Sequence, residues 1–532
     1  MSDHARSLFH RPATFWSGCT LILLGVLSHG PMFWMGRHTH WQMVGMPMSW
    51  EMWVGMALIP LGLLLAGWGL MPPPPPAGAA GLPLHVADGQ RLNRAHLQLV
   101  LVLVVTLAVD VMKPATLGFV MPGLGQEYGL PRSRAGLLAL FALVGTTVGS
   151  VAWGRMADRF GRRAAILLSA LMFIGTAICG AMPTFEWNLA MCFLMGASAG
   201  GLLPITFTLM AEAVPARHRG WLLVALGGVG TSAGYLLAAG AAAWLEPLFS
   251  WRVLWLLGLP TGALIIVLNR FIPESPRFLA ATGRLAEARA TLRRFAGPQA
   301  GALQPDDALH PGPPEIDDER HPVAGLRQLS AGPLARLTGA LLVCGIGWGL
   351  VNFGFLLWLP SNLRSLGLDA AAASALLARS SVLALPGIAL VVWLYQRWSS
   401  VRALALFVAL TGLVLLLFAA LASAGLQSTA ATTLATAALL IAVSGVIAML
   451  IPYAAEIYPV HLRGSGSGVV AASSKAGGIL GAALAVFGFF DQFVLSAVLL
   501  AVPMLGSAVW LWRGGVETTG RTLEDIEQAL RA

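Results

Sequence analysis

Lys113 and Lys475 are the only lysines in the chain, and both stand inside long apolar runs, while arginine supplies every other cation. A lysine near the centre of a bilayer costs roughly 2.5–3.5 kcal/mol on insertion scales, so each is expected to face a cavity or a partner. Asp110 precedes Lys113 by one helical turn, which puts the two on a common face. A carboxylate there changes protonation as its surroundings alternate between wet and dry, the physical requirement for coupling to protons. In a second reading the pair neutralises itself permanently and only fixes packing. Lys475 neighbours Gly477, Gly478 and Gly481, and such thin packing lets it reach a central space and hold a carboxylate; snorkelling or pairing with Asp110 is the alternative. Asn352 and Tyr235 add neutral hydrogen-bonding capacity, and Trp348, Phe353 and Phe355 offer faces for a flat ring, although aromatics in apolar helices more often meet lipid or core.

A second group lies near the N-terminus. His38, His40, Met43 and Met46 are flanked by His29, Met32, Met35, Met48 and Met52, and thioethers with imidazoles suit Cu(I). Methionine at a membrane boundary is the plainer account. Elsewhere there is no Gly-rich phosphate loop, no paired nucleophile and base, and no metal-hydrolase spacing, so neither an enzyme nor a cofactor is expected. Cys19, Cys179, Cys192 and Cys344 sit in apolar runs without ligand or disulfide spacing.

The elements that must position these residues are membrane helices. A chain of 532 residues that is 57% hydrophobic and 11% charged lies far outside the soluble balance. Its net charge of +9 resides mostly in short loops between apolar runs, which is a topology signal and excludes nucleic acid as the expected partner. Apolar segments fall near 13–35, 50–71, 98–124, 134–153, 164–184, 187–211, 220–244, 251–270, 334–360, 373–394, 402–425, 430–455, 464–489 and 494–513. In lipid every backbone polar group needs an internal partner, so runs of this length are helices. The excess of Arg on alternate loops puts both termini in the cytoplasm. The first run lacks a small-x-small cleavage site and is expected to be a retained helix.

Residues 1–97 form a two-helix appendage, closed by a stiff spacer that begins at Pro72–Pro76. Residues 98–280 and 334–515 are expected as two six-helix bundles, 281–333 as a central cytoplasmic loop with a helical stretch from Arg284 and a Pro/Asp-rich part over 298–322, and 516–532 as a cytoplasmic tail. Glu212-Ala-Val-Pro215-Ala-Arg-His-Arg219-Gly220 recurs as Glu456-Ile-Tyr-Pro459-Val-His-Leu-Arg463-Gly464, each copy joining the fourth and fifth helices of a bundle. Glu274-Ser275 after the sixth helix is echoed by Glu517-Thr518 after the twelfth. Glu212 and Glu456, at helix ends with Arg219 and Arg463, suit gating or structure better than proton carriage.

Gly154-Arg-Met-Ala-Asp158-Arg159-Phe-Gly161-Arg162-Arg163 joins the second and third core helices. Gly154 and Gly161 permit a tight turn, and Asp158 can accept from arginines or a helix N-terminus. With the internal repeat, this G-x-x-x-D-R-x-G-R-R pattern resembles the major facilitator superfamily over about residues 98–530. The second-half copy, Tyr395-Gln396-Arg397-Trp398-Ser399-Ser400, lacks the acid and the second glycine, so its lock is expected to be weak or absent. Trp251-Arg252, Pro273-Glu274-Ser275-Pro276-Arg277-Phe278-Leu279 and Glu517-Thr-Thr-Gly520-Arg521-Thr-Leu523-Glu524 look like the sugar-porter and metabolite:proton symporter branch. Gly347-Trp348 through Trp358-Leu359-Pro360 lacks the glutamine pair of sugar porters and is more similar to organic-acid and aromatic-acid symporters; Gly227 to Gly234 lacks the Gly-Pro pattern of drug antiporters.

The resemblance implies an all-α membrane fold, twelve core helices in two six-helix halves with two extra N-terminal helices. It implies proton-coupled uptake of a small carboxylated metabolite by alternating access, in a monomer of a bacterial-type inner membrane. Asp110 is then the proton group, as acids on the first core helix are in similar symporters; Lys113, Lys475, Asn352, Tyr235 and Trp348 bind substrate. The 154–163 loop, with Glu212, Arg219, Glu456 and Arg463, gates the cytoplasmic side. An exporter of drugs or metabolites is the alternative within this class, and a metal-handling or sensor protein built on the appendage the alternative outside it.

Overall fold

A computed structural model describes residues 10–71, 92–275, 278–279, 284–296, 329, 332–365, 367–426, 428–458 and 463–519. The Pro72–Pro76 spacer, the 298–322 segment, Pro276, Arg277, Pro459 and the tail from Gly520 lie outside the described residues, as do the side chains of Asp158, Glu212 and Arg463.

Fourteen helices among the described residues are long and apolar enough to cross a membrane. They are α1 (Pro12–Thr39), α2 (Trp50–Leu70), α3 (Arg94–Glu127), α4 (Arg132–Ala157), α5 (Arg162–Ala181), α6 (Phe185–Ala211), α7 (Arg217–Phe249), α8 (Val253–Phe271), α9 (Leu334–Ser365), α10 (Ala370–Arg397), α11 (Ser400–Ser423), α12 (Thr429–Ile457), α13 (Gly466–Val486) and α14 (Phe493–Gly514). Polar side chains start several of them by satisfying the first free backbone N–H groups: Asn93 for α3, Thr184 for α6, Asp369 for α10, Ser399 for α11 and Ser428 for α12. The short helix Leu285–Ala296 docks on the start of α3, where Asn93 Nδ2 donates to the carbonyl of Phe295 at 2.9 Å.

The repeat seen in sequence is also a repeat of packing. In the first half α3 packs on α7, α4 on α6 and α5 on α8; in the second, α9 packs on α13, α10 on α12 and α11 on α14. The halves meet where α7 crosses α10 and α12, and where α13 crosses α4. Glycine sets the closest approaches: a Cβ on Gly149 would lie 2.2 Å from the Ala197 carbonyl in α6, and one on Gly349 would lie 2.1 Å from the Ser474 carbonyl in α13.

The antiparallel hairpin of α1 and α2 is a separate layer laid against α5. Ile59 of α2 reaches Gly175, and Leu168 of α5 lies beside Gly67. In consequence 94% of the most apolar stretch of α5 is buried, against 56% for its second-half counterpart α11. Below, the loop end is the end of the bundle that carries residues 154–163, and the outer end is the opposite one.

Candidate functional site

Between the two halves lies a cavity of about 150 Å³, walled by α3, α4, α6 and α7 on one side and by α9, α12 and α13 on the other. Asp110, Tyr235, Trp348, Asn352 and Lys475 all line it. Lys475 comes from the second half and has no ion pair or hydrogen bond among the described residues, whereas Asp110 comes from the first half. Lys113 is not on the wall: its Nζ lies 3.3 Å from Asp110 Oδ1 and 4.2 Å from the centre of the Phe173 ring on α5, and its side chain is fully buried. One turn of helix thus separates a carboxylate that meets the cavity from an ammonium that is sealed within the first half.

The aromatic wall is held in a fixed attitude. Trp348 Nε1 donates to the Val443 carbonyl on α12 at 2.8 Å, and Phe353 stands edge-on to Trp348 at 5.8 Å and 88°. Both rings line the cavity, so together they form an aromatic corner in its wall. Phe355 instead packs between Phe418 and Phe493, away from the cavity. Asn352 and Phe353 lie in a π-helical segment of α9, Val351–Leu356, which rotates the following side chains relative to a regular helix; sequence reasoning gave no sign of it. Thr146, Thr231 and Ser474 also line the cavity and donate to carbonyls of their own helices, which leaves their oxygens free to accept.

At the loop end the N-terminus of α5 is served by Glu274, which accepts from the N–H of Arg162 at 2.8 Å and of Arg163 at 3.3 Å. Gly161, at φ +99°, makes the turn in front of this carboxylate, and a Cβ there would lie 2.4 Å from Glu274 Oε2. Arg163 Nε donates to Asn269 Oδ1 at 2.9 Å, and Arg159 is exposed. Burial pushes the Glu274 carboxyl up to about 6, against the pull of the Ser275 and Arg162 N–H groups.

The second half has an acid in the equivalent place, although its loop does not supply one. Glu517 accepts from the hydroxyls of Ser399 and Ser400 and from the Ser400 N–H at 2.9 Å, at the start of α11. Burial opposes ionisation here, but these hydrogen bonds and that of the Thr519 N–H outweigh it and hold Glu517 at about 2. Glu456 accepts from the Tyr395 hydroxyl at 2.9 Å and the Thr518 hydroxyl at 2.7 Å, and a Cβ on Gly220 of the first half would lie 3.1 Å from it. Arg219 lies next to that contact, at the start of α7.

The outer end carries residues that sequence reasoning missed. Arg364 Nη2 of α9 donates to Glu246 Oε1 of α7 at 2.6 Å, and Arg132 Nη2 donates to the Ser361 carbonyl at 2.6 Å; both join one half to the other. Within the first half, Arg252 forms a buried ion pair with Glu127 at 2.7 Å, and Glu127 also accepts from Trp251 Nε1 at 2.9 Å and from the Met43 N–H at 2.8 Å. This network ties the turn of the α1–α2 hairpin to the core. His38 and His40 are exposed on that turn, Met43 is buried and Met46 half-buried; no group of three or more His, Cys, Asp or Glu suited to a metal occurs among the described residues.

The sequence profile of the Major Facilitator Superfamily matches residues 99–482. The chain is similar to a niacin transporter, NiaP, of Acinetobacter baylyi, with 28% identity over 82% of this chain and 97% of the relative. It is also similar to a 4-hydroxybenzoate transporter, PcaK, of Pseudomonas aeruginosa, with 30% identity over 80% of this chain and 94% of the relative. Among solved structures, the xylose transporter XylE from E. coli in a partially occluded inward open conformation superposes with a TM-score of 0.63 at 17% identity, over 81% of this chain and all of the other.

Proposed function

This chain belongs to the major facilitator superfamily, and from that membership we propose that it is a transporter importing a small aromatic monocarboxylate with a proton, by alternating exposure of the central cavity. The observation that carries the proposal is Lys475: a cation on the cavity wall with no hydrogen bond or ion pair among the described residues, in a cavity that also exposes a carboxylate from the other half. An anion entering the cavity supplies the missing charge, and the corner of Trp348 and Phe353 favours a ring behind the carboxylate. Niacin and 4-hydroxybenzoate, the cargoes named for two relatives, are acids of that form.

In this reading Asp110 takes the proton, Lys475 holds the substrate carboxylate, and Asn352 and Tyr235 receive its remaining polar edge. Lys113 acts on Asp110 rather than on substrate. The loop end faces the cytoplasm with both termini, the protein is a monomer of a bacterial-type inner membrane, and residues 98–280 and 334–515 move as two bodies. Gly154, Asp158, Arg159, Gly161, Arg162 and Arg163, with Glu212, Arg219, Glu456 and Arg463, control closure at that end.

Proteoliposome uptake of 4-hydroxybenzoate and nicotinate under an imposed pH gradient, acidic outside, tests the proposal. Wild-type uptake is expected to rise with the gradient, and Asp110→Asn is expected to lose that response while retaining exchange of labelled for unlabelled substrate. Lys475→Gln is expected to raise the apparent KM about tenfold or more. Uptake indifferent both to the gradient and to Asp110→Asn would reject the coupling; failure of every aromatic acid tried would reject the substrate class.

A further inference from the structure

The α1–α2 hairpin lies outside residues 99–482, and nothing in the carboxylate site uses it. Its outer turn gathers Met32, Met43 and Met52 into one cluster with Ala181, and these three methionines are only 1%, 0% and 2% exposed. Met46 and Met48 pack against the cluster from the side. Apolar packing alone accounts for methionines in such a place. It does not account for the histidine one helical turn before Met32.

His29 is 1% exposed, and its Nδ1 lies 2.9 Å from the Gly25 carbonyl. A carbonyl can only accept, so Nδ1 carries the ring proton and Nε2 of the neutral imidazole keeps a bare lone pair. Nε2 is buried and has no hydrogen-bond partner among the described residues. Leaving such an acceptor dry and unpaired is unfavourable. The hairpin register indicates what lies around it: Gly18 meets Gly62 and Gly25 meets Gly55 at backbone contact, and the Ser28 hydroxyl abuts Gly55. Continued by one turn, that antiparallel register sets Met52 opposite the stretch from His29 to Met32.

We propose that His29 Nε2 and the thioethers of Met32, Met43 and Met52 bind a soft monovalent cation, Cu(I) or its analogue Ag(I). Thioether and imidazole are the donors that such ions prefer to water, and a histidine whose other nitrogen is fixed on a backbone carbonyl has the orientation typical of a metal ligand. All four donors are neutral, so one positive charge is far less costly to bury among them than two. Glu127, which accepts the Met43 N–H, is the acid that the structure ties to the cluster, and Arg252 already engages it. Of the residues first singled out for copper, Met43 belongs to this set, Met46 flanks it, and His38 and His40 are exposed on the same turn.

The full-length protein, purified in detergent, is titrated anaerobically with Ag(I) by calorimetry and with Cu(I) against a chromogenic chelator. One equivalent is expected to bind, and Ag(I) is expected to raise Tm. The Met32→Leu/Met43→Leu/Met52→Leu variant conserves volume and is expected to lose affinity by about 100-fold or more, since even changes outside the ligand set cost 10–100-fold. Should that variant fail to fold, His29→Gln alone is expected to abolish the Ag(I)-induced rise in Tm. Absence of stoichiometric uptake by the wild type, or equal uptake by the wild type and a folded variant, overturns the proposal. Aromatic-acid uptake is a separate readout, and its failure leaves this one standing.

Discussion

Asp110 and Lys113 are an ion pair of which one member meets the cavity and the other does not, and this asymmetry yields a stability prediction. Removing one partner of a buried pair strands the other, at a cost of about 3–5 kcal/mol, whereas replacing both with neutral groups is often close to neutral. Lys113→Met is therefore expected to lower Tm sharply, and Asp110→Asn/Lys113→Met to recover most of the loss; a double variant no more stable than Lys113→Met would contradict the pairing. The acids at the loop end titrate in opposite senses. Glu274, raised to about 6 from an ordinary 4.5, contributes stability that is full below pH 4.5 and lost as pH rises through 6. Glu517, held at about 2, contributes stability that is present above pH 4.5 and lost as pH falls through 2. In a Tm-against-pH series Glu274→Gln is expected to flatten the curve between pH 4.5 and 6, and Glu517→Gln to lower Tm at pH 7. Asp110 and Lys475 were legible in the sequence because charge is so scarce in apolar runs. Glu246 and Arg364 were not, because charges at helix ends are ordinary and this pair meets only through the contact of two halves.

Helix number and order could be read from apolar length, since lipid leaves the backbone no other way to satisfy its hydrogen bonds. What could not be read was anything set by contact between helices. The π-helical segment that carries Asn352 and Phe353 leaves no periodic trace in so uniformly apolar a run, and the layer that covers α5 depends on glycines whose partners lie in another helix. The expectation of a weak second-half lock followed from the missing acid in its loop; Glu517, supplied from beyond α14, occupies the start of α11 instead. Close approach makes a prediction at this scale. Gly349→Ala puts a methyl 2.1 Å from the Ser474 carbonyl, so α9 and α13 must separate beside Lys475. A loss of roughly 1–3 kcal/mol and a weaker affinity for the carboxylate are expected. Gly240→Ala, with nothing within 4 Å of the new methyl, is the control and is expected to leave both unchanged.

At the scale of the whole molecule, four polar contacts among the described residues differ by end. Glu274 and Glu517 each bind within their own half at the loop end, while Glu246–Arg364 and Arg132 with the Ser361 carbonyl join the halves at the outer end. Rocking one half against the other to open the outer end must break those latter bonds and need not disturb the former. The Glu246–Arg364 bond is single: Glu246 Oε2 and Arg364 Nε are buried with no partner among the described residues, so the closed arrangement is held by a pair that leaves part of its hydrogen-bonding capacity unused. Glu246→Gln keeps the shape, removes the attraction and leaves Arg364 buried without its counter-charge, which favours the arrangement in which Arg364 meets water. The measurement is the rate at which a membrane-impermeant maleimide, applied at the outer end, labels a cysteine placed at Ser444 on the cavity wall. Labelling is expected to rise about tenfold in Glu246→Gln and similarly in Arg364→Gln, with the double variant no faster than either, as two halves of one bond require. Unchanged labelling in both single variants would mean that the outer end is held shut by its other contacts, Arg132 with the Ser361 carbonyl among them, and that this ion pair is a bystander to the opening.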